Sequence, residues 1–326
     1  MGNSAPRRIL LVWIGRFGDL LVSGPFIAAL RAKHPQAEIT LLARGYVEEL
    51  AALLPGINKV LTLPNLSKPL SLISFVKLLS GFDLCVDLNS SYSRTSGFLC
   101  LLSRAPERVS FDKFRASWFY TRTAAAPAED EHMLSRYGRL AKLFDAPYEA
   151  VMRVQVPEQA IDSVNRLIAG LGFDGDGPLV LVHAGNFKKY DHRWPEEKFL
   201  ELCKKLLVHP AKLRLLLMAG PGEEAPVTAL LAALPGAKFL PPLPAAQAAA
   251  AMSRCSLVVV SATGTMHLAA ALDVPLLSFH SEYTYKCWRP LSPGSVSLSS
   301  GEWNSCRSIS ADAAWEAVSA LLAKKL

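Results

Sequence analysis

Seven short runs along the chain are dominated by apolar residues with little alternation, and no other feature restricts the fold so far. They are RILLVWI (8–14), EITLLA (38–43), FDLCVDL (82–88), LVLVH (179–183), LRLLLMA (213–219), LVVVS (257–261) and LLSFH (276–280). A strand with one wet face alternates polar and apolar residues, whereas strands this continuous are covered on both faces, as in parallel sheets. Residues 59–63 read as a further strand. Stretches with helical spacing lie between the runs, at 20–34, 46–54, 70–79 and 130–145, then at 159–170, 195–208, 225–234, 244–253, 266–272 and 311–325. This β-α alternation predicts an α/β chain of doubly wound parallel sheets. At 326 residues it fits two domains of roughly 150 each. We divide them as 1–157 and 158–326, with the closing helix a candidate to pack back on the first. Residues 107–127 read as irregular.

Charge narrows the partners. Thirty-five Lys+Arg against 28 Asp+Glu give a formal +7, which favours an anionic partner. Residues 1–150 hold 18 cations against 13 anions and the remainder 17 against 15, so the first half is the more basic. The cations are dispersed, which argues against nucleic acid. Six cysteines without a CxxC pair read as reduced, buried thiols. No apolar run of about 18 residues exists to span a membrane, and the start of the chain lacks a cleavable-leader pattern. The expectation is a soluble, cytoplasmic protein.

In doubly wound sheets ligands gather at the carboxyl ends of the strands. Four loops there carry chemistry. Gly15-Arg16-Phe17-Gly18-Asp19 lacks the spacing of a dinucleotide fingerprint, and its carboxylate reads either as a functional group or as a helix N-cap. His183 to Pro195 (HAGNFKKYDHRWP) combines small residues with cations suited to a diphosphate, or is a solvated basic loop. Gly220-Pro-Gly-Glu-Glu224 offers carboxylates to sugar hydroxyls or is a plain turn, and Ser261-Ala-Thr-Gly-Thr-Met-His267 opens a helix whose N–H groups can hold an anion. Asp174-Gly-Asp176 reads as a turn rather than a metal site. P-loop, zinc-protease and hydrolase-elbow motifs do not occur.

Three stretches, GRFGDLLVSGPFIAALR, HAGNFKKYDHRWPEEKFLELCKKL and SATGTMHLAAALDVPLLSFH, together with the HMLSRY segment at 132–137, resemble in content and order those of glycosyltransferase family nine, the ADP-heptose:lipopolysaccharide heptosyltransferases. The resemblance covers almost the whole chain and is most specific at T-G-x-x-H-x-A-A-A-L. It implies a GT-B fold, two Rossmann-like doubly wound domains facing across a cleft: an N-terminal acceptor-binding domain and a C-terminal nucleotide-sugar-binding one. It makes Asp19 the general base of an inverting, metal-independent transfer, with Arg16 and Gly18 beside it on the acceptor side. Donor contacts fall on Gly185, Asn186, Lys188, Lys189, His192, Glu223 or Glu224, Leu243, Thr263, Gly264, Thr265 and His267. Two positions depart from the family pattern. Ala262 stands where many members have aspartate, and His192 where many have lysine.

The resemblance implies transfer of a sugar, above all heptose, from an ADP-sugar to the lipopolysaccharide inner core. No cofactor is implied beyond that donor substrate. The expected partners are the nucleotide sugar and a lipid-linked or phosphorylated glycan acceptor, met by a monomer in peripheral contact with the inner membrane surface. The rival reading is a GT-B protein of different specificity, or one that binds nucleotide sugar or glycan without turnover. A nicotinamide oxidoreductase is disfavoured by the missing fingerprint.

Overall fold

In the computed structural model, which describes residues 5–64, 75–173, 176–185 and 193–324, the chain divides into two compact units, Met1–Arg153 and Val154–Leu326. The first holds β1 (Arg8–Val12), β2 (Glu38–Ala43), β3 (Lys59–Thr62), β4 (Leu84–Asp87), β5 (Glu107–Phe111) and β6 (Arg122–Ala124). They form one sheet in the order β3-β2-β1-β4-β5-β6, with every pairing parallel. The second holds β7 (Leu179–His183), β8 (Arg214–Met218), β9 (Lys238–Leu240), β10 (Leu257–Ser261), β11 (Leu276–His280) and β12 (Ser295–Ser299). Its order is β12-β11-β10-β7-β8-β9, again all parallel. Counted from its own first strand, each sheet runs 3-2-1-4-5-6, the doubly wound order expected from the apolar runs.

The continuous runs became the central strands for the stated reason. Ile9, Leu10, Leu11 and Val12 of β1 are wholly buried, as are Val258, Val259 and Val260 of β10. The expectation failed at the edges. Residues 107–127 are two strands, β5 and β6, with a 3-10 turn Phe114–Phe119 between them. The helix read at 46–54 is a 3-10 turn Gly45–Val47 followed by the short helix Glu48–Ala51. Helices Arg94–Leu102 and Glu282–Trp288, and strand β12, carry too mixed a pattern for periodicity to find. The first half of the helix read at 70–79 lies outside the described residues, as does Asp174, while 75–78 are helical.

One aromatic stack anchors the second core. Trp194 lies 4.0 Å from Phe279 at 12°, with Phe199 edge-on, and its indole N–H donates to the Ile309 carbonyl at 2.9 Å. The closing helix Ala311–Ala323 packs within this unit, on helix Glu196–Leu207 and on β11. Strand order reverses at β1/β4 and at β7/β10, which sets the functional loops at the carboxyl ends of those four strands.

Candidate active site

At the β7/β10 reversal, His183 ends β7 and joins three loops. Its Nε2 lies 2.9 Å from Glu223 Oε2 and its Nδ1 2.8 Å from Thr265 Oγ1. Thr265 Oγ1 lies 2.7 Å from Thr263 Oγ1. Glu223 Oε2 also accepts the Gly220 N–H at 2.9 Å. The carboxylate facing Nε2 can only accept, so Nε2–H donates to Glu223, and Nδ1 shares a hydrogen bond with the Thr265 hydroxyl. The His183 side chain is 5% exposed, so the chain of bonds is largely dry. Two glycines make room for it. A Cβ at Gly185 would overlap the His183 ring and meet Glu223 Oε2 at 2.6 Å, and one at Gly220 would meet that oxygen at 2.8 Å.

Thr263 is the N-cap of helix Gly264–Ala271, with Thr265 in its first turn. The Thr263 side chain makes no capping bond of its own and is engaged with Thr265 instead. The unsatisfied N–H groups of such a first turn can receive an anion. His267, one turn further, is buried with its ring centroid 6.0 Å from that of Trp288. His280, ending β11, has its pKa pushed down to about 3, by burial first and then by the charge of His267, so it stays neutral. Its Nε2 meets Ser278 Oγ at 2.9 Å, and that hydroxyl meets Ser297 Oγ at 3.0 Å.

At the β1/β4 reversal of the other unit, helix Phe17–Lys33 opens with Asp19 in its first turn. The N-cap is Arg16 and its side chain makes no capping bond, so the N-cap reading of Asp19 is corrected. Asp19 is half-buried, Gly18 buried and Arg16 exposed. The loop is pinned by side chains: Trp13 Nε1–H donates to the Arg16 carbonyl at 3.2 Å and Tyr46 O–H to the Gly15 carbonyl at 2.9 Å. Beneath it Asp87, ending β4, is wholly buried with Lys113 Nζ at 2.6 Å and the Tyr120 hydroxyl at 2.6 Å. Asn89 donates from its side-chain amide to Asp87 Oδ1 at 2.6 Å, and its own oxygen accepts the Ile14 N–H at 3.4 Å. The acidic strand end thus ties β4 to the loop that carries Asp19. Tyr137 donates to the Leu88 carbonyl at 2.9 Å. Burial first, then the charges of Asp19 and Asp87, hold its pKa well above the ordinary value.

The structure therefore brings Glu223, Thr263 and Thr265 together, with Gly185 against them and Gly264 in the same turn. Glu224 is exposed on the first turn of helix Glu224–Ala232. Leu243 is half-buried in the loop after β9. Asn186, Lys188, Lys189 and His192 lie outside the described residues. Arg193, which follows them, is buried and paired with Glu196 at 2.7 Å. Sequence reasoning assigned no role of their own to His183 or to the Asp87–Lys113–Tyr120 cluster. Each had a signal, a polar residue ending an otherwise apolar central strand.

Comparison with known proteins bears on the family and the fold. The model of a family described as glycosyltransferase family 9 (heptosyltransferase) matches residues 70–313. Lipooligosaccharide heptosyltransferase 2 of Haemophilus influenzae is 22% identical over 303 residues, spanning 87% of this chain and 86% of the relative. The crystal structure of a family 9 glycosyl transferase from Veillonella parvula superposes with a TM-score of 0.85 at 16% identity, over 98% of this chain and 97% of that one. The E. coli heptosyltransferase WaaC with ADP gives a TM-score of 0.70 at 18% identity, over 98% and 99%. These likenesses in structure extend the fold assignment to nearly every residue.

Proposed function

The chain belongs to glycosyltransferase family 9, and from that premise we propose that it transfers heptose from an ADP-sugar to the inner core of a lipopolysaccharide, with inversion, at the cytoplasmic face of a membrane. In this reading the first unit takes the acceptor and the second the nucleotide sugar. Asp19 accepts the proton of the attacking acceptor hydroxyl, for which a carboxylate within hydrogen-bond reach suffices. The new C–O bond forms on the face of the anomeric carbon opposite the diphosphate, the bond to the diphosphate oxygen breaks, and ADP leaves with the bonding pair. Charge developing on that oxygen is met by the N–H groups of the Thr263-Gly264-Thr265 turn, helped by cations of the 186–193 loop. Glu223 faces the ribose hydroxyls.

The observation that supports this reading most is the bond chain Glu223–His183–Thr265–Thr263. It draws a carboxylate and a hydroxylated helix start to one strand-order reversal, the place where such sheets bind nucleotides. ADP is taken as the nucleotide because the similar WaaC structure is described with ADP. The test is ADP release on mixing the protein with ADP-heptose and a phosphorylated core acceptor lacking heptose, against a panel of other nucleotide sugars. Release with ADP-heptose alone supports the donor assignment. ADP binding without release for any acceptor would favour the non-catalytic reading, for which Ala262 and His192 are the motivating departures.

A further inference from the structure

The first unit carries an apolar surface that its own packing covers only in part, Phe98 and Trp118 resting on the buried Phe119 ring. Helix Arg94–Leu102 buries Ser96, Gly97, Leu99 and Cys100. It leaves Phe98 50% exposed, with Leu101 and Leu102 each more than a third exposed. Helical spacing sets Arg94 one turn before Phe98 and the leucines one turn after it, so the outward face reads cation, ring, aliphatic. A surface helix ordinarily keeps that face polar. The neighbouring 3-10 turn extends the patch: Trp118, 63% exposed, meets the Phe98 ring edge-on at 6.5 Å. Phe114 is 85% exposed and holds a left-handed backbone at φ 52. Neither an exposed ring nor that conformation is favourable for a phenylalanine. Asp112 holds the turn in place by accepting the Phe114 N–H at 2.9 Å.

The charge around these rings is mostly positive. Residues 94–122 contain six Lys+Arg and two Asp+Glu. Of these, Asp112 is tied into the turn and Lys113 is engaged with Asp87, while Arg94, Arg104 and Arg115 are exposed. We propose that this face docks on an anionic lipid bilayer, with Phe98, Phe114 and Trp118 entering the headgroup boundary and Arg94 and Arg115 pairing with lipid phosphates. Aromatic rings flanked by arginines suit that boundary, where one end of the side chain is apolar and the other wet. A second copy of the chain would set the same positive charges face to face, which disfavours self-association there. The choice of a membrane over a protein partner rests on the lipid-anchored acceptor proposed above.

The experiment is co-sedimentation of the full chain with vesicles of phosphatidylcholine alone and with phosphatidylglycerol added, at low and high salt. Binding should need the anionic lipid and weaken with salt. Arg94→Glu and Arg115→Glu should each reduce it about fivefold or more, and the triple variant Phe98→Ser, Phe114→Ser, Trp118→Ser tenfold or more. The single variant Phe114→Gly, which relieves the left-handed backbone, tests the ring in a chain that keeps its fold. Equal binding to both vesicle types, unchanged binding in the folded variants, or a patch-dependent dimer by light scattering would each overturn the proposal. Transfer to a soluble, delipidated acceptor is measured alongside. Transfer without vesicle binding removes the docking face and leaves the enzyme, whereas vesicle binding without transfer does the reverse.

Discussion

Asp19 occupies the first turn of its helix while Arg16 holds the cap, which separates two consequences of changing it. If the carboxylate is the base, Asp19→Asn lowers kcat by about 10²–10⁴ and leaves ADP affinity close to that of the parent. Stability should hardly move, since Asn keeps the size of Asp and serves a helix start about as well. Steady-state ADP release together with a melting curve reads both, and near-normal turnover in the variant would remove Asp19 from the chemistry. Gly185 is the corresponding position in the other unit. A methyl group there overlaps His183 and presses on Glu223 Oε2 at 2.6 Å, so Gly185→Ala should break the bond between them. A hydrogen bond to a charged group is worth about 1.5–3 kcal/mol, so ADP should bind some tenfold or more weaker by calorimetry. Unchanged affinity in a folded Gly185→Ala protein would detach the His183 chain from nucleotide binding.

Among the elements, β4 makes the sharpest wager, because it ends in a wholly buried Asp87–Lys113 pair. Removing one partner of such a pair leaves a bare charge in the interior, and Lys113→Met should cost about 3–5 kcal/mol in urea unfolding. A cost below about 1 kcal/mol would mean that water or Tyr120 satisfies Asp87 alone. The central strands and the helices between them were legible because burial on both faces writes itself into composition, as in LVVVS of β10. Strand β12, SVSLS, was not, since an edge strand half-buried along its length carries no such run. Helix Arg94–Leu102 did offer a start signal: Ser93 Oγ accepts the Ser96 N–H at 3.2 Å. Its apolar residues fall on both faces, which erases the 3.6-residue period. The residues that make the surface patch are thus the ones that hid the helix. In the candidate site, Thr263, Thr265 and Glu223 could be read from their loops, but the bonds that join them run through His183, and contact between strand ends lies beyond local pattern.

At the scale of the whole molecule, two titrations report on the fold. The folded state holds His280 at a pKa of about 3, against about 6.5 in an open chain. From pH 6.5 downward the unfolded chain therefore takes up a proton that the folded one refuses. The stability contributed by the neutral ring is complete above pH 6.5 and is lost progressively as pH falls toward 3, approaching about 1.4 kcal/mol per pH unit. His34, also lowered by burial and by the charge of Lys33, acts in the same sense. His280→Asn should shrink the difference in urea midpoint between pH 7.5 and pH 4.5, and an undiminished difference would assign the acid sensitivity elsewhere. The thiols give the second report. All six cysteines are free and buried, and burial pushes Cys203, Cys255 and Cys306 up to about 12. A thiol reagent at pH 8 should find six groups in guanidinium and almost none in the native protein, so a rapidly reacting native thiol would point to local opening.

The order 3-2-1-4-5-6 also bears on how the chain emerges from a ribosome. In each unit the strand made first lies at the centre of its sheet, paired with the next strand on one side and with the fourth on the other. Between the end of β1 at Val12 and the start of β4 at Leu84, a ribosome working at about 5–20 residues per second takes roughly four to fifteen seconds. Through that interval one edge of the most apolar strand in the first unit stays open, ready to pair with any other extended chain. The second unit repeats the wait between β7 and β10. Nascent chains of this protein should therefore pass through two successive windows of chaperone dependence, each closing when the fourth strand of its unit clears the exit tunnel.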